Sequence, residues 1–255
     1  MANNAGAEAK SSAIKDIAGE IDTALRMAGK PDRAHHEKGY LKSPLEHYGT
    51  AVPVIRKQAM AAWRDHGPLS HQDLLGLVRM LWASPVHEPR MAAVVLLEQR
   101  AVDLRSGDLA IVEDMIRGSH TWAYVDGLAA KVAGALFERD DALGPALDRW
   151  SKDENFWIRR ASMLALLMPL RRGEGDWDRF TRYADEMLHE KEFFIRKSIG
   201  WVLRETSKRR PALVRDYVAG RAGRMSGLTF REATKRLPEG DRQALVEARA
   251  GEVSA

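Results

Sequence analysis

The chain has 255 residues, of which 45% are hydrophobic and 30% charged, so it can bury a sizeable core and is neither disordered nor fibrous. It contains no cysteine, which excludes disulfides, thiolate zinc sites and a cysteine nucleophile. No apolar run approaches the roughly 20 residues that cross a bilayer, and the N-terminus lacks the pattern of a signal peptide. We therefore expect a cytoplasmic protein with no membrane partner.

Helical periodicity dominates the chain, and no alternating strand pattern bounded by hairpin turns is found. In chain order, it predicts one amphipathic helix over residues 13–29 and further helices whose apolar faces include 74–82, 91–97, 158–167 and 195–203. Proline and glycine break the chain often, which gives roughly a dozen helices of ordinary length. The N-caps that the sequence predicts are Ser70, Asp108, Ser119, Asp153 and Asp176.

The net charge of +4 hides an uneven distribution of charge. Residues 149–236 hold 21 basic and 12 acidic residues, whereas the remainder holds 19 basic and 24 acidic ones. The basic stretch is rich in arginine, which suits contacts with phosphates. A set of solvated helix faces would give the same composition, so both interpretations stay open at this point.

A weak internal repeat lies near the starts of three predicted helices, in the segments Ile55-Arg56-Lys57, Ile158-Arg159-Arg160 and Ile195-Arg196-Lys197. The last two lie 37 positions apart. A period of roughly 35 to 45 residues is typical of HEAT-like repeats of two helices. We therefore predict an all-α fold of HEAT-like repeats, stacked in a curved α-solenoid with a basic concave face. Such a face could follow duplex DNA, and an acidic protein partner is the alternative.

Three predicted helices place a tryptophan beside a charged residue at a spacing of three or four, namely Trp122 with Asp126, Trp157 with Arg160, and Trp201 with Lys197 and Arg204. A tryptophan at helical spacing usually belongs to the core, and a charged residue one turn away usually lies on the surface. Repetition of the pattern in successive helical units instead favours rings placed beside cations. That arrangement suits a nucleotide and its phosphates.

Several blocks resemble the AlkD-like DNA alkylation repair glycosylases, over roughly residues 40–237. The longest block, 191–205 (KEFFIRKSIGWVLRE), is similar to the family's K-E-F-F-I-x-K-A-I-G-W-x-L-R-E, with Ser198 in place of alanine. Residues 155–161 resemble its N-x-W-x-x-R-A segment, and 228–233 its L-S-x-R-E-A segment. Residues 120–126 resemble S-W-W-D-x-V-D more loosely, because His120, Thr121 and Ala123 depart from it.

The resemblance implies a monofunctional DNA glycosylase that hydrolyses the N-glycosidic bond of cationic N3- or N7-alkylated purines in base excision repair. It places the family's catalytic aspartate at Asp126, with its two tryptophans at Trp122 and Trp201. For DNA binding, it implies Arg160, Tyr40 of a Y-x-K motif and, as further phosphate contacts, Arg159, Lys197 and Arg204. The implied partner is double-stranded DNA that contains alkylated purines, bound by a monomer that associates with the nucleoid.

The reaction needs these residue types. A cationic alkylpurine leaves as a neutral base, so the transition state concentrates positive charge on the deoxyribose. A carboxylate near C1′, here Asp126, stabilises that charge and orients or deprotonates the attacking water. Trp122 and Trp201 would hold the cationic nucleotide through cation–π contacts of about 0.5–2 kcal/mol each.

Two other functions stay open, a non-catalytic DNA-binding paralogue that recognises altered DNA structure and a HEAT-type protein-interaction scaffold. We predict an N-terminal helical extension over residues 1–38, a glycosylase domain over 39–238, and a C-terminal helix and tail over 239–255. No nucleotide-binding motif is found, so no cofactor is expected. His35 and His36 are adjacent rather than at metal-ligand spacing, so no metal is expected either.

Overall fold

The computed structural model describes the backbone of residues 2–67 and 69–254, and the side chains of residues 12–67 and 69–251. Within these ranges the chain is all-α, as predicted, and its one extended pairing is an isolated bridge between Glu46 and Val86. The helices are α1 (Ala2–Met27), α2 (Pro31–Leu41), α3 (Val52–Asp65), α4 (His71–Trp82), α5 (His87–Gln99), α6 (Leu109–Arg117), α7 (Trp122–Gly127), α8 (Gly134–Phe137), α9 (Gly144–Trp150), α10 (Phe156–Leu164), α11 (Leu167–Arg172), α12 (Trp177–Met187), α13 (Phe193–Ser207), α14 (Pro211–Ala219), α15 (Gly227–Thr234) and α16 (Glu239–Ser254). In the part of the chain that is described, none of them has the length and apolar character needed to span a membrane.

The chain forms two compact units. The amino-terminal unit contains the residues up to Asp108 together with Gly118–Leu128. The carboxyl-terminal unit contains Leu109–Arg117 and the chain from Ala129 onward. The predicted division at residues 38 and 238 stays a prediction.

Helix α1 belongs to the core of the amino-terminal unit, where it packs against α3, α4 and α5. Its buried side chains Ile14, Ile17, Ile21 and Leu25 recur at intervals of three and four residues, which places them on one face. Burial of such side chains stabilises a fold by about 1.5–3 kcal/mol each. The amphipathic helix predicted over residues 13–29 is therefore confirmed, and it is an integral part of this unit.

The helix starts confirm some of the predicted caps and correct others. The hydroxyl of Ser70 accepts a hydrogen bond from the Asp73 amide, and the carboxylate of Asp176 accepts one from the Arg179 amide. The predictions at Ser119 and Asp153 are wrong by two residues, because the side chains of Thr121 and Asn155 cap α7 and α10 instead. Asp108 ends a short 3-10 helix, and its carboxylate accepts a hydrogen bond from the Arg105 amide.

The carboxyl-terminal unit carries the predicted repeat. Ile158 and Ile195 are fully buried, and each is the third residue of its helix, α10 or α13. A row of three acidic side chains, here called the acidic ladder, follows the same period. Its members accept hydrogen bonds from an aromatic residue and an arginine that lie 32 to 37 positions later in the chain: Glu113 from Trp150 and Arg149, Asp148 from Tyr183 and Arg182, and Asp185 from Tyr217 and Arg221.

The acidic ladder gives a pH-dependent contribution to stability, which Asp185→Asn tests. Burial alone would raise the pKa of Asp185, but hydrogen bonds from Arg221 and Tyr217 outweigh it and hold this pKa below the ordinary 3.8. Because the folded pKa is depressed, the contribution is present above pH 4 and is lost as the pH falls through the folded pKa. We expect Asp185→Asn to lower the free energy of unfolding by about 1–2 kcal/mol at pH 7, and by less at pH 3.

Urea unfolding followed by circular dichroism at both pH values measures this difference. Glu186→Gln, an exposed change on the same helix, is the control that removes a charge outside the ladder. Equal losses of stability in the two variants, or a loss for Asp185→Asn that does not shrink at low pH, would show that the ladder does not act in this way.

Candidate functional site

The predicted catalytic pair Trp122 and Asp126 lies on α7, one helical turn apart, and both side chains are partly exposed. The helix begins sharply. His120 adopts a left-handed conformation with φ of 51°, and the buried hydroxyl of Thr121 accepts a hydrogen bond from the Ala123 amide at 3.4 Å. Two of the departures from the family pattern, at His120 and Thr121, therefore form the start of the helix that carries the pair.

Tyr124 anchors α7 to the core. It is fully buried, its ring packs edge-on against Trp82 at 5.2 Å, and its hydroxyl lies 2.6 Å from Nδ1 of His87. Residues two positions before and after a helical residue lie on the opposite side of the helix, since each residue turns the helix by about 100°. Anchoring at Tyr124 therefore presents Trp122 and Asp126 together on the face away from the core.

Tyr40 contacts Trp122. It lies near the end of α2, it is 66% exposed, and its ring meets the indole edge-on with 6.1 Å between centroids. The ring of His36, one turn earlier on α2, stacks parallel to Tyr40 at 6.4 Å. The amino-terminal unit thus brings three predicted site residues together, Tyr40, Trp122 and Asp126, and adds His36, which sequence reasoning did not select.

The carboxyl-terminal unit brings together Arg160 and Trp201. The Arg160 guanidinium is buried, donates a hydrogen bond to the Phe194 carbonyl at 2.6 Å, and lies 5.9 Å from the centroids of the Phe194 and Trp201 rings. Trp201 is partly exposed, whereas Trp157, the tryptophan of the middle pair, is buried in the core. The guanidinium therefore has a fixed orientation beside the Trp201 ring, and its contact with DNA stays a prediction.

The three further phosphate-contact candidates have acidic partners in the same unit. Arg159 forms a two-pronged ion pair with Glu190, at 2.9 and 2.8 Å. Lys197 donates to one oxygen of Glu232 at 2.7 Å, and Arg204 pairs with the other. Sequence reasoning missed Glu190 and Glu232, although Glu232 stands in the block that resembles L-S-x-R-E-A.

Close packing at Gly200 brings Glu232 to its two cations. A Cβ atom at this position would lie 2.5 Å from Cβ of Glu232 and 3.0 Å from the Thr229 carbonyl oxygen, so α15 approaches α13 where there is no side chain. Burial alone would raise the pKa of Glu232, but Lys197 and Arg204 outweigh it and lower this pKa. The carboxylate is therefore ionised at neutral pH and neutralises part of the positive charge beside Trp201.

Removing this carboxylate is expected to strengthen electrostatic binding of DNA. In Glu232→Gln, Lys197 becomes available to phosphates, and Arg204 keeps a longer ion pair with Glu205 at 3.5 Å. Each added phosphate contact steepens the dependence of log K on log salt by about 0.9. We expect tighter binding of undamaged duplex at low salt and a slope that is steeper by about 1–2. Fluorescence anisotropy from 50 to 300 mM salt measures the affinity and this slope, with Glu186→Gln as the control of equal charge change. An unchanged slope would show that these two cations do not reach DNA.

Fold and site together define an all-α helical-repeat protein that presents a carboxylate beside aromatic rings in one unit and cations beside an indole in the other. A family model described as "DNA alkylation repair enzyme" matches residues 21–237, and the chain belongs to this family. The family resemblance seen in the sequence is thus confirmed, and the match begins within α1, earlier than the quoted motifs.

Two solved structures share the fold. A protein titled "Predicted DNA alkylation repair enzyme from Enterococcus faecalis" aligns with a TM-score of 0.74 and 22% identity, over 83% of this chain and 97% of its own. The structure of AlkD2 from Streptococcus mutans aligns with a TM-score of 0.61 and 18% identity, over 88% of this chain and 99% of its own. No curated protein matches the chain. At these identities the likeness shows the fold, which is that of a helical-repeat protein.

Proposed function

We propose that the protein is a monofunctional DNA glycosylase that hydrolyses the N-glycosidic bond of cationic N3- or N7-alkylated purines in duplex DNA. Membership of the DNA alkylation repair enzyme family supports a role in DNA alkylation repair. The glycosylase activity is proposed from the geometry of α7, which holds Trp122 and Asp126 on one partly exposed face with Tyr40 against the indole. A carboxylate beside electron-rich rings is the arrangement that a cationic nucleotide requires.

In the proposed reaction the C1′–N bond breaks and its electron pair leaves with the alkylated base, which becomes neutral. Water adds to C1′ and loses a proton to Asp126 or to solvent. Asp126 stabilises the positive charge on the sugar while the bond breaks, and no general acid is needed for the leaving base. Trp122 and Tyr40 offer aromatic rings to the cationic base. Trp201 and Arg160 offer an indole and a guanidinium for contacts with the DNA.

The proposed partner is double-stranded DNA of the nucleoid, which one copy of the chain would bind. Both small methyl adducts and bulky purine adducts suit a site of exposed and partly exposed side chains. The family match favours the DNA-acting functions over a protein-interaction scaffold. The departures at Thr121 and Ala123 do not remove any proposed catalytic group, and Thr121 has a role as the cap of α7.

A base-release assay tests the proposal. Duplex DNA that contains 7-methylguanine, 3-methyladenine or a bulky N3-adenine adduct is incubated with the protein, and the free base is measured by chromatography and mass spectrometry. We expect release of at least one cationic adduct and no cleavage of the DNA strand. Tight binding of the same duplexes without release of any base would overturn the proposal in favour of a non-catalytic DNA-binding protein.

A further inference from the structure

We propose that Glu37, His47 and Glu88, in the amino-terminal unit, form a site for one divalent metal ion of the zinc class. Glu37 lies on α2, His47 in the loop that follows it, and Glu88 on α5. One ligand atom from each of the three side chains lies within 4.8 Å of the other two. The sequence analysis expected no metal because the adjacent pair His35 and His36 lacks metal-ligand spacing, whereas Glu88 of this cluster lies 41 positions after His47. The inference does not depend on the proposed glycosylase activity.

Glu88 is the fixed ligand. Its side chain is fully buried, and its carboxylate accepts hydrogen bonds from the backbone amides of Tyr48 at 2.9 Å, Gly49 at 2.6 Å and Thr50 at 3.1 Å. A carboxylate offers about four lone-pair positions. One donor binds Oε2 and two bind Oε1. A position on Oε2 is therefore open to a cation.

His47 points to a ligand that the protein itself does not supply. Both of its ring nitrogens are inaccessible to solvent and have no hydrogen-bond partner among the described residues. Native proteins rarely leave buried polar atoms in this condition. The ring stacks on His87 with 4.5 Å between centroids, which holds it in place.

Glu37 is the movable ligand. It is partly exposed and pairs with Arg33 on its own helix, one turn away. Metal–ligand bonds are about 2.0–2.2 Å long, and the three ligand atoms lie within 4.8 Å of one another. Because Glu37 is partly exposed, its carboxylate is free to turn from Arg33 toward the two buried groups when an ion binds. Imidazole nitrogen with two carboxylate oxygens suits zinc and related ions better than magnesium or calcium, which prefer oxygen ligands alone.

The site lies where it can order the residues near α7. Glu37 stands three positions before Tyr40 on α2, and His47 stacks on His87, whose ring nitrogen lies beside the Tyr124 hydroxyl of α7. A bound ion would join α2, the loop after it and α5. Its role would be structural, since none of its ligands is a proposed catalytic residue.

The experiment titrates zinc into the full-length protein after treatment with a chelator, followed by calorimetry and thermal unfolding, with cobalt absorption as a second probe. We expect one ion per chain and a melting temperature that rises by several degrees. His47→Phe keeps a ring on His87 but removes both nitrogens, and Glu37→Gln removes the movable carboxylate. Each is expected to weaken binding at least tenfold, whereas His35→Phe, an exposed change on α2, is expected to bind as the wild type does.

Several outcomes would overturn the inference. The first is no saturable zinc uptake by the wild type. The second is uptake by both His47→Phe and Glu37→Gln that equals that of the wild type. The third is uptake that His35→Phe removes, which would mark an adventitious surface site. Circular dichroism verifies that each variant is folded. Should His47→Phe fail to fold, Glu37→Gln decides the question, because Glu37 is partly exposed and its replacement leaves the buried groups in place.

Discussion

Replacing Asp126 with asparagine is expected to slow the release of 7-methylguanine from duplex DNA by about 10²–10³-fold, the loss typical of removing one preorganised electrostatic group. Asparagine has nearly the same shape as aspartate, so α7 and its anchor Tyr124 should keep their positions. The variant loses only the charge that would stabilise the cationic sugar. Affinity for undamaged duplex should stay the same or rise slightly, because a negative charge near phosphates has been removed.

Single-turnover base release and fluorescence anisotropy measure the two quantities separately. The matched control is Asp65→Asn, which removes the same charge from an exposed position in the same unit. Activity within a factor of two of the wild type would remove Asp126 from the mechanism. Loss of activity together with loss of fold, detected by circular dichroism, would instead assign Asp126 a role in holding α7.

Local spacing made much of the fold and part of the site predictable. The spacing of Trp122 and Asp126 placed both on one helix, and the repeated Ile-Arg segments marked the starts of α10 and α13. Neither result required knowledge of a distant residue. The cap of α7 was missed by two positions because Ser119 and Thr121 are both good capping residues, and the left-handed backbone at His120 decides between them.

The partners across repeats were not predictable from spacing along one helix. Glu190 and Glu232 lie 31 and 35 positions from Arg159 and Lys197, so only the packing of successive repeats brings them together. The same holds for the cluster around His47, which Glu88 joins from a position 41 residues later in the chain.

These ion pairs show that many basic residues of 149–236 are engaged within the fold. Much of the arginine in residues 149–236 forms ion pairs within its own unit, as Arg182 does with Asp148 and Arg221 does with Asp185. Each pair joins one repeat to the next, so these arginines hold the repeats in register. The excess of basic residues therefore overestimates the number of cations available to DNA. Whether a given cation can reach DNA depends on its partner in the fold.

After Asp126, Arg160 is the residue whose replacement should slow base release the most. Arg160→Lys keeps the charge but loses the planar guanidinium, which donates to the Phe194 carbonyl and lies beside the Trp201 ring. We expect base release to fall by about 10–100-fold, since a small misplacement of a group that positions the substrate can cost this much. Stability should fall by about 1–2 kcal/mol, because a lysine ammonium cannot reproduce both contacts at once.

Comparing the loss of base release with the loss of stability distinguishes a role of Arg160 in positioning the substrate from a role in packing the core. A role confined to packing α10 against α13 would lower the melting temperature and leave base release by the folded fraction unchanged. A role in holding the nucleotide would reduce kcat/KM at temperatures where the variant is fully folded. Arg236→Lys, an exposed change in the same unit, controls for the exchange of one cation for another. Full activity of folded Arg160→Lys would leave Trp201 as the only proposed substrate-contacting group in that pair, because the guanidinium would then serve the core alone.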